Sequence, residues 1–151
     1  MKTRFFSITF LALALIIFIS GHAEINDPIV NDVLTYTNQA RQKKGLKPLV
    51  MRENLNGIAR SHSDNMASGK VPFSHDGFTD RYKKARTELK SVYGFAENVS
   101  FGPHNGKEAV EGWMNSPHHR DNILGDYTSI GIGVGVDKNG VYYFTQVFCK
   151  E

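Results

Sequence analysis

The run Ile130-Gly-Ile-Gly-Val-Gly-Val136 most limits how this chain can fold. Strict alternation with a period of two is a strand signature. It puts four β-branched side chains on one face and three glycines on the other. Glycine weakens a strand unless another group lies close to it, so the bare face is expected to be covered. Asp137-Lys-Asn139-Gly140 then reads as a hairpin turn, with Val141 to Phe148 as the returning strand. With Asn139-Gly140 as a two-residue turn, Gly135 faces Phe144 and Gly131 faces Phe148. Aromatic rings then cover the glycine face. Both faces are buried in this reading, and helices are expected on both sides of the sheet.

The helices are visible in the same way. Asp27-Pro28 is an N-cap followed by proline at the first helical position. Ile29, Val30, Val33, Leu34 and Ala40 recur at helical spacing, and Gly45 ends the run. Leu46 to Val50 is extended. A second helix runs from about Glu53 to Ser68, with Leu55, Ile58, Ala59, His62 and Met66 on one face and Gly69 as its stop. Residues 71–77 are a loop. Thr79 is expected to cap a short polar helix from Asp80 to Leu89, and Val92 to Ser100 is extended. Asn105 and Glu108 have capping-box spacing ahead of a helix with Ala109, Val110, Trp113 and Met114. Ser116-Pro117 opens a shorter helix that ends near Leu124-Gly125.

The first residues have a different character. Lys2 and Arg4 precede a nearly unbroken apolar run from Phe5 to Ile19, and Gly21-His-Ala23 follows with small residues at its ends. This order is that of a cleavable secretory signal over residues 1–23. The apolar run is 15 residues long, short of the roughly 20 that a spanning helix needs. Cleavage after Ala23 would start the mature domain, residues 24–151, at Glu24. The expected location is therefore secreted or periplasmic, with no stable membrane span after cleavage.

The formal charge of +3 falls to +1 when Lys2 and Arg4 are removed. No dense basic tract with interleaved aromatics is present, which argues against nucleic acid as a partner. Lys43-Lys44 and Lys83-Lys84 read as solvated helix faces. The single cysteine, Cys149, excludes an internal disulfide. It reads either as a buried small hydrophobe or as a thiol for intermolecular pairing, and its place at the end of an apolar strand favours the first.

Four segments resemble one family when taken in order. They are Thr37-Asn-Gln-Ala-Arg41 with Gly45-Leu-Lys-Pro-Leu49; Phe73-Ser-His75; Ala96-Glu97-Asn98-Val99; and Trp113-Met-Asn-Ser-Pro117-His-His119-Arg-Asp-Asn122-Ile-Leu124. The set is similar to the CAP superfamily, or SCP domain, of cysteine-rich secretory proteins, antigen 5 and pathogenesis-related proteins. The strand Tyr142 to Val147 fits as well, and the lack of disulfides is similar to the bacterial branch. The resemblance implies an α+β fold: a three-layer α-β-α sandwich with a mainly antiparallel central sheet and a C-terminal β-hairpin.

It also implies a shallow groove lined by two histidines and two acids, where some members hold a divalent metal. His75, Glu97 and His119 match three of these positions, and the fourth falls on Ser116. The site is therefore one acid short, unless Glu108 or Glu111 turns toward it. His75, Glu97 and His119 are the candidate catalytic residues, these three with Ser116 the candidate ligand groove, and His75 and His119 the candidate metal ligands.

Two imidazoles and a carboxylate can hold Zn²⁺ with an open position for water, weakly here because one negative charge is missing. The same groups can instead form a hydrogen-bond cluster that fastens loops to the sandwich. His62, on an apolar helix face, reads as a buried, hydrogen-bonded histidine. His118 and His104 read as solvated, and Asn98 and Asn122 as ties to loop backbone. No Gly-x-Ser-x-Gly turn accompanies Ser74, and no phosphate loop or dinucleotide fingerprint is present.

Two functions follow. One is a secreted, non-enzymatic module whose groove takes a small lipid-like ligand, a peptide, a cell-envelope component or a protein partner. The other is a metal-dependent hydrolase or peptidase that uses the same residues.

Overall fold

The structure, a computed structural model, describes residues 27–151. The expected signal segment, its cleavage point and Glu24 lie outside the described residues. Five helices and four strands follow in the order α1 (Pro28–Gln42), β1 (Val50–Met51), α2 (Glu53–Ala67), α3 (Phe78–Glu88), β2 (Gly94–Phe101), α4 (Gly106–Asn115), α5 (Pro117–Ile123), β3 (Ser129–Val136) and β4 (Tyr142–Lys150). The sheet order is β1-β3-β4-β2. β1 runs parallel to β3, while β3–β4 and β4–β2 are antiparallel. The sheet is thus mixed, with antiparallel pairs in the majority.

Helices cover both faces. On one side, Val30 and Val33 of α1 and Trp113 of α4 pack on Ile130, Ile132, Phe144 and Phe148. On the other, Leu55, Ile58 and Ala59 of α2 and Ala85 of α3 pack on Val147 and Cys149. Cys149 belongs to this core. Burial pushes its thiol up to about 12, so almost no thiolate forms near neutral pH. It is a small hydrophobe, as the strand pattern indicated.

The hairpin corrects the expected register by one residue. Val136 pairs with Tyr142, Gly135 with Tyr143 and Gly131 with Val147. The Gly140 N–H donates to the Asp137 carbonyl at 3.0 Å, and the Asp137 N–H to the Val141 carbonyl at 2.9 Å. Three residues, Lys138 to Gly140, therefore form the loop, and Gly140 takes a positive φ of 81°. This is the arrangement of a type I turn with a glycine bulge. The shift moves Phe144 and Phe148 onto the branched face, so rings do not cover the glycines. The backbone of α2 does. A Cβ built on Gly133 would lie 2.1 Å from the Arg60 nitrogen and 2.2 Å from the Ala59 carbonyl carbon.

Local capping follows the sequence at α1 and α4. Asp27 accepts from the Ile29 N–H at 2.9 Å, and Asn105 accepts from the Glu108 N–H at 2.9 Å. Helix α3 starts two residues earlier than expected: its cap is Gly77, with φ 78°, and Thr79 lies inside it.

Candidate functional site

The site lies at the outer edge of β2. Along this strand Phe95, Glu97, Val99 and Phe101 share the face that carries α2 and α3, since each pairs with an odd-numbered residue of β4. Glu97 is thereby turned under the 71–77 loop, with its side chain fully shielded. Arg81, one turn into α3, meets it with both arms of its guanidinium. Nε donates to Oε2 at 2.5 Å and Nη2 to Oε1 at 2.7 Å. His75 Nδ1 lies 2.8 Å from the same Oε1, with its ring half exposed. A bidentate arginine is the strongest common partner for a carboxylate.

Arg81 also fastens the loop. Its Nη1 donates to the Asp76 carbonyl at 2.7 Å, and Nη2 to the His75 carbonyl at 3.3 Å. Beneath them His62 is buried, its Nε2 at 3.0 Å from the Ser74 carbonyl. Three consecutive loop carbonyls are thus held by two side chains from α2 and α3.

Helix α5 supplies the other wall. Asn98 donates to the His119 carbonyl at 3.1 Å, and Asn122 donates to the Glu97 carbonyl at 3.1 Å and to Asn98 Oδ1 at 2.8 Å. Asn98 also reaches Gln146 Oε1 at 3.2 Å, and Gln146 donates to Thr37 Oγ1 at 2.8 Å. This buried chain of amides ties α1, β4, β2 and α5 together and sets the height of α5 beside β2. It places His119 within electrostatic reach of His75: burial lowers the His119 pKa first, and the His75 and His118 charges lower it further.

Of the residues expected here, His75 and Glu97 are in direct contact, and His119 stands on α5 with its carbonyl held by Asn98 and its ring within electrostatic reach of His75. Asn98 and Asn122 tie backbone as expected. Ser116 is the junction of α4 and α5 and makes no side-chain cap bond. Neither acid that could stand in for it turns to the groove. Glu108 caps α4 through the His104 and Asn105 groups, and Glu111 faces Lys107 on the exposed side at 3.7 Å. His118 and His104 are exposed.

The arrangement does not fit a resident divalent metal. Among the described residues no three His, Cys, Asp or Glu side chains cluster closely enough to hold one. Three hydrogen bonds already occupy the Glu97 carboxylate, and Arg81 places a cation where a metal would need an anion. The hydrogen-bond cluster is the reading that matches these contacts.

Sequence reasoning missed Arg81, which lies among Asp80, Lys83, Lys84 and Arg86 on a polar helix. It placed His62 in the core but not in the cluster. Burial pushes the His62 pKa below its ordinary 6.5, and the Arg81 cation pushes it further, against the opposing pull of Glu97. A histidine held neutral in the fold is protonated more readily in the unfolded chain. Stability is therefore full above the ordinary value and lost as pH falls through the window below it. The melting midpoint should fall as the pH drops below about 6.5. His62→Gln, which keeps a donor for Ser74, should flatten that fall, and an unchanged slope in this variant would refute the assignment.

A three-layer sandwich whose middle sheet carries a His–Glu–Arg cluster at one edge, closed by an Asn-bearing short helix, defines the class of molecule. The cysteine-rich secretory protein family (CAP) model matches residues 34–148, and the chain belongs to that family. It is 39% identical over 107 residues to Bacillus subtilis YkwD, covering 67% of this chain and 40% of the relative. It is 35% identical over 125 residues to the Bacillus subtilis membrane protein YlbC, covering 79% of this chain and 34% of the relative. The chain thus spans well under half the length of these relatives. An extracellular SCP-domain protein from Bacillus anthracis superposes with a TM-score of 0.68 at 28% identity, covering 82% of this chain and 41% of that one. An outer surface protein from Borrelia burgdorferi has the same fold, with a TM-score of 0.71 at 18% identity over 83% of this chain and 94% of that one. Among the described residues no helix is long and apolar enough to cross a membrane.

Proposed function

We propose that this domain works outside the cytoplasm as a non-catalytic binding module. Its recognition surface is the β2 edge around His75, Glu97 and His119, and its ligand is a lipid-like molecule, a peptide or a component of the cell envelope. The observation that carries this reading is the engaged state of Glu97. Its carboxylate accepts two bonds from Arg81 and lies against His75. A general base needs a lone pair free to reach the proton it removes, and this one is directed at the loop. Holding the loop in one shape is the role such a cluster performs well. Export is supported by the charged, apolar, small-residue order of residues 1–23 and by the extracellular character of the Bacillus anthracis neighbour.

The test is metal and hydrolysis analysis of chain 24–151 purified without chelator, beside the His75→Ala/His119→Ala double variant. Zinc well below one per chain, equal in both proteins, is expected, with no cleavage of casein or p-nitrophenyl acetate above blank. The wild-type chain should co-sediment with cell-envelope fragments, and the double variant should do so less. One zinc per chain, lost in the double variant together with a hydrolytic rate, would replace this reading with the metallohydrolase.

A further inference from the structure

Farther along β2 the same face of the sheet carries a second feature. Phe101 is 53% exposed and Phe73 is 45% exposed. Their rings meet edge to face, with centroids 4.7 Å apart, and Phe101 lies nearly parallel to Tyr143 at 5.7 Å. The three rings form a row that crosses from β4 over β2 to the 71–77 loop. Phe101 is four residues beyond Glu97 on the strand, about 13 Å away at the strand rise. Phe101 and Tyr143 are therefore set apart from the His75–Glu97 cluster, while Phe73 stands on the loop that carries His75. At its inner end Tyr143 lines a groove of about 740 Å³ between the end of α2 and the β3–β4 hairpin, together with Asp64, Met66, Val136, Asp137 and Lys138.

We propose that this row and groove form a binding site for a neutral oligosaccharide chain. Aromatic faces are electron-rich, and the C–H faces of a pyranose ring are apolar and weakly electropositive, so the two stack, while the sugar's hydroxyl rim seeks hydrogen-bonding groups. The row supplies the rings. Asp64 and Lys138, both exposed, and the Tyr143 hydroxyl supply polar partners beside them.

Other occupants fit less well. An acyl chain would strip water from three charged side chains and return no hydrogen bonds. A polyanion would meet two aspartates against one lysine. An extended peptide adding to the sheet needs free backbone groups at the β2 edge. There the Glu97 and Val99 carbonyls already accept from Asn122 at 3.1 Å and from the Trp113 indole at 3.1 Å.

The experiment is an NMR titration of chain 24–151 with N-acetylglucosamine tetramer and with cellotetraose. Ring signals of Phe73, Phe101 and Tyr143 should shift and saturate at millimolar concentration or below. Phe101→Ala and Tyr143→Ala should each weaken binding about tenfold. Phe101→Trp, which keeps a stacking face, should bind at least as well as wild type. Tyr93→Ala, which removes an aromatic that is 77% exposed elsewhere, should bind like wild type. The proposal is overturned if neither sugar moves the three rings, or if Tyr93→Ala weakens binding as much as Phe101→Ala. These outcomes leave the His75–Glu97 reading untouched, since none of the variants alters that cluster.

Discussion

Replacing Gly133 with valine should unfold the domain or come close to it. The new Cβ would fall 2.1 Å from a backbone nitrogen and 2.2 Å from a backbone carbonyl carbon of α2, and helical backbone cannot rotate away as a side chain can. Ordinary overpacking costs about 1–3 kcal/mol. Here the whole helix must lift from β3, so a loss of about 3 kcal/mol or more is expected. In a domain of this size that lowers the melting midpoint by roughly 10–15 °C. Gly133→Ala places the same atom and should do nearly as much. A midpoint unchanged in both variants would mean that α2 does not lie on this face.

Arg41→Met should be the most damaging change on α1. Arg41 is only 3% exposed and faces carbonyl oxygens rather than a carboxylate. It donates to Lys47 at 2.9 Å, to Ile123 at 2.8 Å, to Gly125 at 2.9 Å and to Tyr127 at 3.3 Å. Two of these carbonyls belong to the end of α5 and the turn after it, where a helix leaves acceptors without intrahelical partners. The Gly125 oxygen also accepts from the Tyr127 N–H at 2.9 Å, so the loss falls on the other three. Methionine fills the volume and supplies no donor. Orphaned buried carbonyls cost about 1–3 kcal/mol each, so a loss of about 3 kcal/mol or more is expected in chemical denaturation. Arg41→Lys keeps the charge but presents one point where four oxygens need a fork, and should lose roughly half as much. Equal stability of all three proteins would refute the clamp.

Much of the architecture could be read from residues alone, because its signals are local. The Asp27 and Asn105 caps, the branched and glycine faces of β3 and the proline opening α5 each act within a few positions. The failures have a common physical origin. The hairpin register depends on whether two or three residues make the turn, and Asn-Gly is compatible with both. That single residue decided whether rings or helix backbone cover the glycines. Thr79 is a good cap by type, yet Gly77 took the position, because helix entry here is set by a loop pinned from below. Within the site, the meeting of His75 and Glu97 was legible through the order of the family segments. Arg81 was not, because nothing near it in the chain distinguishes a buried arginine from its solvated neighbours. Arg41 lay inside a quoted segment, but its partners are as far as 86 positions away.

The amide chain from Thr37 through Gln146 and Asn98 to Asn122 has a consequence for how the sheet is assembled. Asn98 and Gln146 sit directly opposite each other on β2 and β4. Both faces of this sheet are covered by helices, so a slipped strand still buries its side chains on one face or the other, and burial alone discriminates less between alignments than it does in a sheet with one wet face. A slip of one residue here would swing Asn98 to the opposite face, and a slip of two would carry it past Gln146. Either error would leave several interior amides with no partner. The chain therefore acts as an alignment key: it adds little to the depth of the native state, but it makes near-miss sheets expensive and keeps α5 fastened beside β2.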